Sequence, residues 1–210
     1  MKGSKKSNFT DVMLTVDFKF TVSIFLMMLA FVEYTKTPDL AHSLCLWGMG
    51  FSCLGDLCLM DYAMIPRRVF KGKQFYVGAG FFAIAHIIYR QMFRSLTPDK
   101  TIWGTGEWIS TAILLVFCVL LLFVRFNRKS PFFMGLAGFY TSTIFMTLAA
   151  AITSVVALEG RHIWAMIGVI SFIVSDFFLL IREVKKDTPT IRKLIWVFYP
   201  IAQILIIMGI

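Results

Sequence analysis

Seven runs of apolar residues, each bounded by charge, proline or glycine, follow one another along the chain at 18–34, 41–60, 75–93, 108–125, 131–156, 163–181 and 191–210. Each approaches the roughly 20 apolar residues that a helix needs to cross about 30 Å of hydrocarbon. The pattern predicts an all-α fold: a polytopic transmembrane bundle of about seven spans, with residues 1–17 as a cytosolic segment and 18–210 as a single transmembrane domain. The first run is short unless Lys19 lies near the lipid surface and extends its ammonium toward water.

Composition agrees with lipid as the solvent. The 210 residues are 58% hydrophobic and 16% charged, and the mean hydropathy is +0.77. The net charge of +9 does not indicate nucleic acid, because the basic residues form short clusters between apolar runs, as topology signals do. Alternate loops lie on the same side of a membrane, which makes the Lys and Arg count a test of seven spans. Of the 21 basic residues, sixteen fall on the side of the N-terminus, in clusters around Lys5, Arg67, Arg128 and Lys185, and five on the other. That imbalance puts the N-terminus in the cytosol. No short apolar core with a small-residue cleavage site suggests a removed signal peptide. Cys45, Cys53, Cys58 and Cys118 lie within the runs without metal or redox spacing and read as small buried side chains.

Three ionisable residues sit well inside the runs: Asp56, His86 and Asp176. Such groups are costly in hydrocarbon, by at least ~2.5 kcal/mol at mid-membrane, and face a protein interior or a watery cavity. The second and sixth runs both travel from outside to inside, so Asp56 and Asp176 share a depth near the cytosolic surface. His86, Tyr89, Tyr140, Tyr199 and Gln203 lie at comparable or deeper levels, and one cytosol-facing cavity holding them all is the expectation. Structural readings stand beside it. His86 is either a satisfied core histidine or a site residue, Gln203 is glue between helices or a ligand, and Tyr76, Tyr89, Tyr140 and Tyr199 pack or anchor at the interface. Lys19 is a snorkelling anchor or the cation at the cavity mouth, and its position favours the anchor. The glycines, among them Gly48, Gly50, Gly55, Gly78, Gly80, Gly135, Gly138 and Gly168, allow close helix approach.

Familiar sites are absent from the residue pattern. His42 and His162 fall at the outer ends, away from His86, which leaves a three-histidine zinc site without ligands. The last run has no central lysine for a Schiff base, and neither a nucleophile elbow nor a phosphate-binding glycine loop occurs.

In order along the chain, GFSCLGDLCL (50–59), GAGFFAIAHIIY (78–89), GVISFIVSDFFLL (168–180) and YPIAQILI (199–206) resemble the lysoplasmalogenase family of YhhN-like membrane proteins. The likeness runs from about Lys19 to the end of the chain, with Phe20 where a proline often follows the family's lysine and one span fewer than the usual eight. It implies that Asp56 and Asp176 take the places of the family's two aspartates as catalytic residues, with Lys19, His86, Tyr89, Tyr199 and Gln203 at other motif positions; these, with Tyr140 from the shared depth, are the expected substrate-binding residues. It further implies hydrolysis of the vinyl ether bond of lysoplasmalogens to a fatty aldehyde and a glycerophospho-headgroup, at the endoplasmic reticulum in a eukaryote, with a lysophospholipid and the bilayer as partners. A carboxylic acid beside a carboxylate suits that reaction and needs no metal or organic cofactor. The competing expectation is a transporter or lipid sensor that uses the same carboxylates to move protons or bind a cation.

Overall fold

The computed structural model describes residues 16–59, 73–97, 107–109, 111–112, 116, 131–184 and 187–210. Among them are six long helices and no strand: α1 (Val16–Lys36), α2 (Leu40–Leu59), α3 (Gln74–Leu96), α4 (Pro131–Ala157), α5 (Ile163–Val184) and α6 (Pro189–Met208). They are 20 to 27 residues long, or roughly 30–40 Å at about 1.5 Å per residue, which is enough to cross a bilayer. Of these, α1, α4, α5 and α6 are also apolar enough to do so. The remaining two, α2 and α3, carry Asp56, His86, Arg90 and Arg94.

The helices form a closed ring in chain order, with α6 returning to pack on α1 and touching α2 across the middle. Directions follow from paired residues. Ser171 and Ser175 of α5 bond the carbonyls of Phe198 and Ile195 of α6, so that pair is antiparallel. The start of α3 instead meets the start of α4, Phe75 stacking on Phe133 with centroids 5.9 Å apart. Two parallel neighbours are what one further crossing between them would give. The 108–125 span expected there lies outside the described residues, apart from isolated positions, as do residues 1–15, Arg67, Arg68, Lys71 and Cys118.

Small residues set the tightest contacts. A Cβ on Gly78 would come within 3.2 Å of the Gly55 carbonyl oxygen, joining α3 to α2, and one on Gly168 would come within 2.8 Å of the Ala202 carbonyl oxygen, joining α5 to α6. Gly50, Gly80 and Gly135 meet nothing within 4 Å, so close approach does not account for them. Between α4 and α5 the chain turns through Glu159 and Gly160, whose φ of 90° favours glycine. A Thr188 hydroxyl that accepts the Ile191 N–H, followed by Pro189, starts α6.

Large apolar side chains such as Phe25, Phe31, Trp47, Phe139, Val156 and Trp164 project from the ring, as lipid-facing residues do. Cys45, Cys53 and Cys58 are buried and free. Arg90 is buried and Arg94 partly buried on α3, with nitrogens 3.7 and 3.5 Å from the buried Glu107 carboxylate. A counter-ion at that helix end removes the need for them to reach water.

Candidate active-site cleft

All the helix ends that carry Lys19, Asp56, Asp176 and Trp196 point the same way, because α2 and α5 run opposite to α1 and α6. A small cleft of about 40 Å³, partly open to the exterior, lies among them. Its wall includes Lys19 of α1, Asp56 of α2, Phe82 of α3, Asp176 and Arg182 of α5, and Trp196 and Tyr199 of α6. The two aspartates, 120 positions apart in sequence, thus face one space.

Their surroundings differ. Two hydroxyls converge on Asp56 Oδ2: Ser23 Oγ donates at 2.6 Å from α1 and Tyr199 Oη at 2.6 Å from α6. Among the described residues Asp176 Oδ2 accepts one hydrogen bond, from Tyr140 Oη of α4 at 2.5 Å. Helical spacing produces both arrangements. Lys19 and Ser23 are four residues apart on α1, and Ser175, Leu179 and Arg182 recur at intervals of four and three on α5, so each set occupies one face. The residue before each aspartate is small, and the structure gives a reason. Gly55 lies against the Phe82 ring and Ser175 bonds the Ile195 carbonyl, so a neighbouring helix comes close on that side while the aspartate faces the cleft.

Lys19 sits at the cleft. Its Nζ stands 5.3 Å from the centre of the Trp196 ring, a cation–π distance, and its side chain lines the cleft.

Other predicted site residues lie elsewhere. His86, Tyr89 and Gln203 are completely or almost completely enclosed and do not line the cleft. Tyr89 Oη donates to Gln203 Oε1 at 2.9 Å. The His86 ring packs edge-on against Phe172, with centroids 4.6 Å apart, and neither of its nitrogens has a hydrogen-bond partner among the described residues. Phe82 and Phe172 pack edge-on against each other and against Tyr199, with Phe82 on the cleft wall and Phe172 fully buried behind it. Tyr140 reaches the cleft only through its bond to Asp176. The single cavity expected from depth is therefore two layers, since residues at one depth can face different sides of their helices.

Sequence reasoning missed Ser23, Phe82, Ser175, Arg182 and Trp196. The four-residue step from Lys19 could have found Ser23, and the α5 face could have found Arg182, which was absorbed into the count of topology signals.

Residues 14–210 match the YhhN family. The chain belongs to the YhhN family. That family includes lysoplasmalogenases, and the match covers every helix of this YhhN chain that the structure describes from Val16 onward. Neither the curated proteins nor the solved structures include one that matches it.

Proposed function

We propose that this YhhN protein is a lysoplasmalogenase that cleaves the vinyl ether of a lysophospholipid by acid–base chemistry between Asp176 and Asp56. The observation that carries this reading is the convergence of the two carboxyl groups on one cleft at the basic end of an otherwise apolar bundle.

Cleavage of an enol ether begins with proton transfer to its β-carbon. Asp176, with one donor, is the acid. Its proton forms the new C–H bond, the π electrons shift, and the ether oxygen shares the positive charge of an oxocarbenium ion. Asp56, with two donors on one oxygen, is the carboxylate that faces this cation, because donors to the charged form favour it. Water adds to the cationic carbon and returns a proton to Asp176. The hemiacetal then collapses to a fatty aldehyde and the alcohol of the glycerophospho-headgroup. Carboxylate pairs at glycosidic bonds likewise flank an oxocarbenium-like state with an acid and an anion, although there the acid protonates oxygen, an analogy of chemistry and not of fold. In this reading the cleft opens to the cytosol from the endoplasmic reticulum membrane, and the alkenyl chain leaves between helices toward lipid.

The test is aldehyde release by the purified chain from 1-alkenyl and 1-acyl lysophospholipids. Release from the alkenyl lipid alone, lost in Asp56→Asn and Asp176→Asn, is the expected result. Full activity in both variants would remove the mechanism. Proton or lipid movement without aldehyde would put a transporter in its place.

A further inference from the structure

The cleft contains a second cation that the aspartate chemistry does not use. Arg182 lies on its wall beyond Leu179, at the end that faces water. Its side chain is 28% exposed, and its nearest acidic partner among the described residues is Asp187, 3.7 Å from Nε. Asp187 is more firmly engaged by Arg192, at 2.8 Å. The Arg182 guanidinium is therefore loosely held and can turn its donors to an anion in the cleft.

Spacing identifies the anion. Arg182 follows Asp176 by six residues, about 9 Å along a helix. In a 1-alkenyl lysophospholipid the phosphorus is seven bonds from the carbon that takes the proton, on the order of 9 Å when extended. With the vinyl ether at Asp176, the phosphodiester reaches Arg182, and Lys19, held beside Trp196, stands on the opposite helix of the same cleft.

We propose that Arg182 is the headgroup ligand of this protein: its guanidinium, with the Lys19 ammonium, binds the phosphodiester of a single-chain phospholipid and sets the register of the chain against the two aspartates. The topology rule accounts for a positive charge at this end but not for its place on the cleft wall. The proposal rests on the hydrolase reading for the position of the vinyl ether, and its test does not require turnover.

The full chain in detergent is titrated with 1-O-hexadecylglycerophosphocholine, whose saturated ether cannot be cleaved this way, and with 1-O-hexadecylglycerol, which lacks the phosphate. Tryptophan fluorescence reports binding. The phosphate-bearing lipid should bind roughly 10- to 100-fold tighter, the scale of a charge-assisted contact. Arg182→Gln should abolish that preference without lowering the thermal midpoint, and Arg182→Lys should keep part of it. Equal binding of the two lipids, or a preference intact in Arg182→Gln, overturns the proposal. So does inorganic phosphate that competes at the lipid's own concentration, since the site would then recognise a free anion. A preference that depends on Arg182 in a protein releasing no aldehyde would sink the hydrolase reading and leave Arg182 as a headgroup ligand.

Discussion

Two polar layers sit one behind the other in this bundle, and they are built on different terms. In the cleft, carboxylates and cations line one space that is partly open to the exterior, and hydroxyls from other helices aim at the aspartates. Behind Phe82 and Phe172, Tyr89 donates to the Gln203 carbonyl oxygen, and His86 is enclosed by aromatic rings. In the proposed reaction the first layer holds and moves charge, while the second joins helices. The comparison teaches that shared depth in a membrane does not make a shared site, because rotation about each helix axis decides which polar groups meet.

Removing a carboxyl group tests the first layer most severely. Asp56→Asn and Asp176→Asn should each lower the rate of aldehyde release by about 10²- to 10⁴-fold, the scale of general acid–base catalysis. Both variants should remain folded, since an amide oxygen still accepts from Ser23, Tyr199 or Tyr140. A smaller effect follows from the hydroxyls. Tyr199→Phe strips Asp56 of one of its two donors and should cost roughly 10- to 100-fold in kcat, as the loss of a charge-assisted hydrogen bond would. Tyr140→Phe leaves Asp176 without its donor and should cost less, because a neutral acid depends less on donors than a carboxylate does. If Tyr140→Phe proved the more damaging, the assignments of acid and anion would have to be exchanged.

Much of the bundle was legible before any coordinates, and so was the pairing of Asp56 with Asp176. Apolar runs and the asymmetry of Lys and Arg are one-dimensional signals, and lipid enforces both. The observed helices keep the expected order, α1 extending to Val16–Lys36 and α3 to Gln74–Leu96, because helix ends continue past the hydrocarbon. Ring closure and azimuth are another matter. They depend on where Gly55, Gly78 and Gly168 let backbones approach, and nothing in the runs distinguishes these glycines from Gly50, Gly80 and Gly135. Hence Ser23 was overlooked, although its hydroxyl touches an aspartate, and Tyr89 and Gln203 were placed in the cavity. Arg182 was hidden for a different reason, since one charge can serve both topology and binding.

The second layer should respond in stability rather than in rate. Tyr89→Phe leaves the Gln203 carbonyl oxygen buried without its donor, and Gln203→Leu leaves the Tyr89 hydroxyl only the long contact to Met49 Sδ at 4.0 Å. Each should cost about 1–3 kcal/mol of stability, the penalty of an unsatisfied buried polar group, with kcat changed only a few-fold. Thermal unfolding in detergent beside aldehyde release separates the two quantities. A loss in kcat as large as that of Tyr199→Phe would merge the layers.

His86 makes the finest distinction. Its ring touches Phe172 on one side and lies 6.0 Å, centroid to centroid, from Tyr140, the residue that donates to Asp176. As packing, the imidazole buries two polar nitrogens for which the described residues supply no partner, and phenylalanine of similar shape removes that cost. His86→Phe should then hold or raise the thermal midpoint and lower aldehyde release by less than about tenfold, within about 1.4 kcal/mol of barrier. As part of a proton path through Tyr140, the imidazole would be indispensable, and the same variant would fall toward the level of Asp176→Asn. A stable His86→Phe protein without activity would therefore extend the catalytic layer through Tyr140 into the bundle, and the boundary drawn at Phe172 would move.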